Sequence, residues 1–537
     1  MLKPLIPLLV LTAATLAQAQ QTPTPAAAEW WRLTTALSND RMQGRDTGSE
    51  AYERAAKYVA AQFAADGLKP AGDNGTFFQR VPMHQVDLDL TRSSLDILHF
   101  HPGSPVGDVP ERTPLKLVEE ITLIPTLAGL VRYDGVPVFV GYGVDLPKPA
   151  DLGKKDFQGG AALIFNATPA GLSESERTVF AARRSRALAD AGFKIVISID
   201  NPAAIEPFHW PAAYSRSVTI GAVPIPYPHT GPSITQFRVS AEAAEKLFAH
   251  DPKHSYAQLL KDAEAGAPLP SFALKDGLTI QLGATEKQIS APNILAILPG
   301  SDPTLAPEFV ALSAHLDGYG FGTPVLGDNL YNGALDDAAY VATLLELAHN
   351  LAHTPPKRSL LFCIFTGEEK GLLGSQYFTQ HPTVPATKIV ADLNLDQLRP
   401  IFPLNILTME GIADSTLGDT ARTVAAQFHI ELRPDREPER NLFRRADNYS
   451  FVRIGVPIAS FIFGYNPGTP EERTYRDWYA RRYHKPQDDL ATPIDWIAAV
   501  KFNDFYRALT LAIANNPVAP QWLPSSPYAP RDTPTAK

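Results

Sequence analysis

Short apolar runs alternate along this chain with stretches whose apolar positions recur every three or four residues. "NILAILPG" (293–300), "FVALSAHLD" (309–317), "SLLFCIF" (359–365), "KIVADLNLD" (388–396) and "PIASFIFG" (457–464) are apolar at consecutive positions, as strands buried on both faces are. "AAYVATLLELAHNLAH" (338–353) between them carries a helical period. Near the start, Ala55, Tyr58, Val59, Gln62 and Phe63 mark another helix, ended by Asp66-Gly67. Strands alternating with helices predict an α/β fold: a mainly parallel mixed sheet sandwiched by helices.

Two regions depart from that rhythm. From "FFQRVPM" to about Leu130 the polar residues fall on alternate positions, which reads as short strands and hairpins. Residues 132–282 read as a β-rich insertion. "VPVFVGYGV", "GGAALIFN" and "KIVISID" are its strands, and "RTVFAARRSRALADAGF" is a helix. The expected division is a signal peptide over 1–19, an N-terminal part of the main domain over 20–131, the insertion over 132–282, and the main domain over 283–515. A flexible tail is expected over 516–537.

Composition narrows the classes. With 537 residues, 45% of them hydrophobic, the chain can bury more than one core. Its 48 basic and 57 acidic residues leave a net charge of −9 with no basic cluster, which speaks against nucleic acid as a partner. "MLKPLIPLLVLTAATLAQAQ" has a lysine, a short apolar run and the small residues around Ala17 and Ala19 of a secretory signal, so a secreted or periplasmic location is expected. The run is too short for a membrane span. The single cysteine, Cys363, lies inside an apolar run and reads as a small core residue. An exported chain without a disulfide relies on packing, with bound metal as one further aid.

The chemistry gathers where strands end. "FVALSAHLD" ends in His315 with Asp317 two residues on, and "YNGALDDAAY" puts Asp336 and Asp337 in a turn before a helix. "LFCIFTGEE" delivers Glu368 and Glu369, "IVADLNLD" delivers Asp396, and "RRYHKPQDD" offers His484. Each alone has an ordinary structural reading: a hydrogen-bonded histidine, a helix N-cap at Asp337, a solvated acidic turn. Together, two imidazoles and three carboxylates suit a pair of zinc ions with one aspartate bridging. Ser313 and Ser375 sit in no G-x-S-x-G elbow, which sets a serine hydrolase aside.

At these residues the sequence resembles the secreted zinc aminopeptidases related to aminopeptidase Y and glutamate carboxypeptidase. The motifs are "SAHLDGYG", "YNGALDDAAYVATLLELA", "KRSLLFCIFTGEEKGLLGSQYF", "KIVADLNLD" and "YHKPQDD", led by "SAPNILAILPGSDP" and the early "MQGRDTGSEAYERAAKYVAAQFAADGLKPAGDNGTFFQRVPM". The resemblance implies a zinc exopeptidase fold, and the insertion resembles the protease-associated domain of many members. It implies one zinc on His315 and Asp396, another on Glu369 and His484, and Asp336 bridging both. Glu368 is then the general base, and Asp317 orients the His315 imidazole. A cis bond between Asp336 and Asp337 is implied as well. The implied activity is removal of N-terminal residues from peptides. A carboxypeptidase or dipeptidase is the alternative, with a single-zinc glutaminyl-cyclase-like acyltransferase or a non-catalytic ectodomain further off. Three positions depart from the usual pattern: Gln397 stands where Met is frequent, Asn448 stands in a His place, and the helix after Asp337 begins Ala-Ala-Tyr.

Overall fold

The consecutive apolar positions of the central strands face two different cores. Leu360, Phe362 and Ile364 point into one, and Leu361, Cys363 and Phe365 into the other, as period-2 alternation requires of a sheet covered on both sides. A computed structural model describes residues 22–101, 109–125, 130–201, 208–221, 234–397 and 400–529. The expected signal peptide lies outside these residues.

Among the described residues the main sheet runs, in spatial order, Glu431–Arg433, Ile406–Glu410, Ile458–Phe463, Ile389–Asn394, Phe309–His315, Ser359–Phe365, Gly277–Leu298, Phe78–His99 and Glu111–Pro114. Phe309–His315 pairs in parallel with Ser359–Phe365 and with Ile389–Asn394, which pairs in parallel with Ile458–Phe463. Antiparallel strands flank this parallel centre, so the sheet is mixed. Residues of the helices Ala28–Ser38, Glu50–Ala65, Ala339–Leu351, Leu417–Gln427 and Trp496–Asn515 fill the larger core on one face. Phe378 of Leu373–Gln380 and Phe451 of Asn448–Arg453 close the other. Cys363 is buried there, as its apolar run implied.

Within the region expected to form short strands and hairpins, Glu111–Pro114 is a short strand folded back on Asp96–His99, but Phe78–His99 is instead one half of a long ribbon. Phe78–His99 pairs antiparallel with Gly277–Leu298 from Phe78↔Ile294 to Leu98↔Gly277, with an irregularity between Gln281 and Gly283. Local sequence hides this, because the two partners stand nearly two hundred residues apart in the chain.

A second sheet, in the order Ser271–Ala273, Val138–Val140, Ala161–Phe165, Ile195–Ile199, Thr235–Val239 and Ile121–Leu123, lies within residues 121–273. Leu95, Ile97, Leu278 and Ile280 of the ribbon share its core with Phe139, Leu163 and Ile197, so this body packs on the ribbon. The chain does not cross between the bodies at a single point near 132. Ile121–Leu123 already belongs to the second sheet, whereas Leu130–Gly135 and Arg216–Ile220 pair with the ribbon. Segment 516–529 is likewise no loose tail. The Trp522 indole donates to the Gly455 carbonyl at 2.8 Å, and the Tyr528 ring stacks on Phe443 at 4.8 Å. Two aromatic anchors hold down a proline-rich stretch that composition alone marks as flexible.

Candidate metal centre

The parallel strands all end at one edge of the sheet, where ligands gather in folds of this kind. His315 is the last residue of Phe309–His315, Glu368 and Glu369 follow Ser359–Phe365, and Asp396 follows Ile389–Asn394. Asp336 and Asp337 lie in the turn before Ala339–Leu351 and are joined by a cis peptide bond. Asp337 is not an N-cap, since that helix has no side-chain cap. Its carboxylate accepts instead from the His315 backbone N–H at 3.3 Å.

Two triads form here. His315, Asp336 and Asp396 each offer a donor atom within 4.8 Å of the others, and so do Asp336, Glu369 and His484. Asp336 belongs to both. Its Oδ1 lies 3.2 Å from His315 Nε2, and its Oδ2 lies 3.4 Å from His484 Nε2. His484 Nε2 is also 3.2 Å from Glu369, and His315 Nε2 is 3.7 Å from Asp396. Glu368 stands beside the first triad, 3.9 Å from His315 Nε2.

The charges in this pocket are poorly balanced by protein alone. Burial, then the negative charges of Asp396 and Glu369, pushes the Glu368 carboxyl well above its usual range despite the opposing His315 charge. Burial would lower His315, yet Glu368, Asp336 and Asp337 raise it well above the ordinary imidazole value. His484 is raised to about 10, where Glu369 and Asp336 outweigh burial. Burial would raise Asp336, yet the His315 and His484 imidazoles facing it hold it below its usual range. Asp336 Oδ2 and Asp396 Oδ1 are buried and accept no hydrogen bond among the described residues. Imidazole and carboxylate donors with orphaned oxygens fit divalent cations of the zinc type, which would replace the protons that the cluster otherwise retains.

The surroundings include residues whose roles the sequence does not announce. The Asp317 carboxylate is 3.9 Å from His315 Nδ1, too far for the expected hydrogen bond. The Asp317 backbone carbonyl takes that place at 3.0 Å. The carboxylate accepts instead from the Glu368 backbone N–H and from Thr47 Oγ1, both at 3.0 Å. Asp317 therefore steadies the loop that carries Glu368. Tyr319 Oη sits 3.0 Å from His484 Nδ1 and also meets Glu369, so one phenol touches two members of the second triad. The Asp488 carboxylate accepts from the backbone N–H groups of Leu335 and Asp336, and burial pushes it up to about 7. Arg45, fully buried, donates to the carbonyls of Leu37, Leu316, Asn332 and Gly333 at 2.7–2.8 Å. It thereby ties the strand end at His315 to the turn at Asp336. The signals available were "YHKPQDD" for Asp488 and "MQGRDTGS" for Arg45, but neither reveals which carbonyls or amides are reached.

The departures from the expected motifs are accommodated locally. Gln397 has φ 61° and accepts from Tyr479 Oη at 2.9 Å. Asn448 is buried and donates to the Phe443 carbonyl at 3.0 Å. Residues 208–216, reached from the second body, stand over this edge. The His209 ring is 6.1 Å from that of His484, and the Ala213 carbonyl accepts from the Thr323 N–H at 2.8 Å.

Sheet, strand ends and paired triads together define an α/β domain with a candidate metal centre at its strand ends. Residues 293–510 match the model of Peptidase family M28, and this stretch is an M28 peptidase domain related to the zinc aminopeptidases. The chain is 25% identical over 265 residues to aminopeptidase YwaD of Bacillus subtilis, covering 47% of this chain and 53% of that protein. It is 26% identical over 228 residues to probable leucine aminopeptidase 2 of Aspergillus fumigatus, covering 39% and 43%. The matches thus span about half the length of these curated relatives. An aminopeptidase from Aneurinibacillus sp. strain AM-1 shares the fold with a TM-score of 0.56 at 19% identity, over 90% of this chain and 93% of that one. A zinc aminopeptidase from Bacillus subtilis gives 0.53 at 18% identity, over 91% and 95%.

Proposed function

We propose that this protein is a secreted zinc-dependent exopeptidase that removes N-terminal residues from peptides. The observation that carries the reading is the sharing of Asp336 between two donor triads, with Glu368 beside them and outside both. His315 and Asp396 would hold one zinc, Glu369 and His484 a second, and Asp336 both. Bound there, a pair of zinc ions supplies Lewis-acid polarisation of the scissile carbonyl and acidifies the attacking water.

The chain's own residues do the rest. Glu368 takes the proton of the attacking water and returns it to the leaving amine, help typically worth about 10²–10⁴-fold in rate. The Asp317 carboxylate holds the Glu368 backbone in place for that transfer. Tyr319 fixes the His484 ring so that Nε2 faces the centre. The free amine of a peptide would be attracted to the surrounding carboxylates. Residues 208–216, which belong to the body we read as a protease-associated domain, narrow the approach, which favours chain ends over internal bonds. The supporting facts are the donor chemistry, the M28 match and the aminopeptidase names of the relatives.

Mass spectrometry of one peptide in free, N-acetylated and C-amidated forms tests the direction. Cleavage of the free and amidated forms, with the acetylated form resistant, is expected. Loss of cleavage on amidation but not on acetylation reverses the reading and makes this a carboxypeptidase.

A further inference from the structure

A second group of metal-type donors lies where the two bodies join, and the peptide chemistry does not use it. His99 ends the strand Phe78–His99, and His101 follows two residues on. His250 follows the helix Ala241–Phe248, and Asp276 lies in the link between Ser271–Ala273 of the second sheet and Gly277–Leu298 of the ribbon. Residues from three distant parts of the chain thus converge.

Asp276 is buried, only 3% exposed. Its Oδ1 accepts from His99 Nδ1 and its Oδ2 from His250 Nδ1, both at 2.7 Å. The two rings lie one over the other, centroids 3.7 Å apart and tilted by 28°. The His101 ring stands edge-on to His99 at 4.7 Å, with its Nε2 3.6 Å from the Glu111 carboxylate. No lysine or arginine forms an ion pair with Asp276 among the described residues. Here a second ring shares that carboxylate, and a third imidazole and a second carboxylate stand beside them.

We propose that this cluster is a separate binding site for a divalent transition-metal ion, held by His99, His250 and Asp276. One donor atom from each of the three lies within 4.8 Å of the others. Small ring rotations bring such atoms to metal bonds of about 2.0–2.2 Å. The ion takes the place of the Nδ1 protons now shared with the carboxylate: each ring binds through Nδ1 as a neutral imidazole with its one proton on Nε2, and any second proton leaves to solvent. His250, whose side chain is 46% exposed, has the room to turn, while His99 and Asp276 stay fixed. Imidazole and carboxylate donors suit zinc or nickel rather than calcium or magnesium. His101 and Glu111 are placed to complete the coordination. The ion would pin the second body to the ribbon in a chain whose one cysteine forms no disulfide.

The test strips the full-length protein with a chelator, dialyses it against zinc and counts bound metal in wild type, His250→Gln and Asp276→Asn. Wild type should hold one ion more than either variant, with unchanged peptide hydrolysis. Zinc should slow amide exchange over residues 241–250 in wild type but not in His250→Gln. The same metal count in wild type and in folded His250→Gln overturns the proposal. His250→Gln alters a half-exposed side chain and keeps the test decisive if Asp276→Asn does not fold. The difference of one ion stands whether or not the strand-end triads bind zinc, so the two readings fail separately.

Discussion

Two adjacent glutamates illustrate how position divides chemistry among identical side chains. Glu369 falls inside a donor triad and Glu368 outside it, although one peptide bond separates them. Glu368→Gln keeps the shape but cannot take a proton, so kcat should fall by about 10²–10⁴-fold with metal content unchanged. Glu369→Gln removes a charged donor and should lower metal content as well as activity. Elemental analysis beside kinetics checks both, and equal metal in the two variants contradicts the division. A third carboxyl, Glu410, offers a test remote from that chemistry. Burial, reinforced by the negative charge of Asp435, pushes it up to about 8, and its Oε1 has no hydrogen-bond partner among the described residues. Because its folded value lies above the unfolded value of about 4.5, its favourable contribution is complete below pH 4.5 and is lost as pH rises towards 8. Glu410→Gln should therefore be increasingly more stable than wild type between pH 5 and pH 8. The gain should not exceed the order of 4 kcal/mol. A melting-temperature difference that is flat with pH contradicts this.

At the level of elements, the strands at the centre were legible because being buried on both faces leaves runs of consecutive apolar residues. His315, Glu369 and Asp396 stand out for a related reason: each is a polar residue placed where such a run stops. The ribbon was not legible. Polar residues alternate along Phe78–His99, and the strand pairs with Gly277–Leu298, far off in sequence. Nor was the clamp made by Arg45, whose role depends on the approach of two loops near residues 316 and 333. Arg45→Met should strand the buried carbonyls of Leu37, Leu316 and Asn332 and destabilise the fold by on the order of 3 kcal/mol or more, read as a lower urea midpoint. Arg45→Lys should recover only part of this, since an ammonium lacks the planar fork. Full recovery by lysine would mean that charge alone matters there.

For the whole molecule, the joining of two bodies brings a distant segment beside the strand ends. The second sheet shares a core with the ribbon, and residues 208–216 extend from it to the strand ends of the main sheet. That arrangement connects a distant part of the chain to the environment of His484. The central claim is that Asp336 serves two cations at once. Zinc-edge anomalous diffraction from zinc-loaded crystals of active protein tests it most directly. The account predicts two strong peaks at the strand ends, one facing Asp336 Oδ1 beside His315 and Asp396, the other facing Oδ2 beside His484 and Glu369. A single peak there, or two that leave Asp336 without contact, would contradict it.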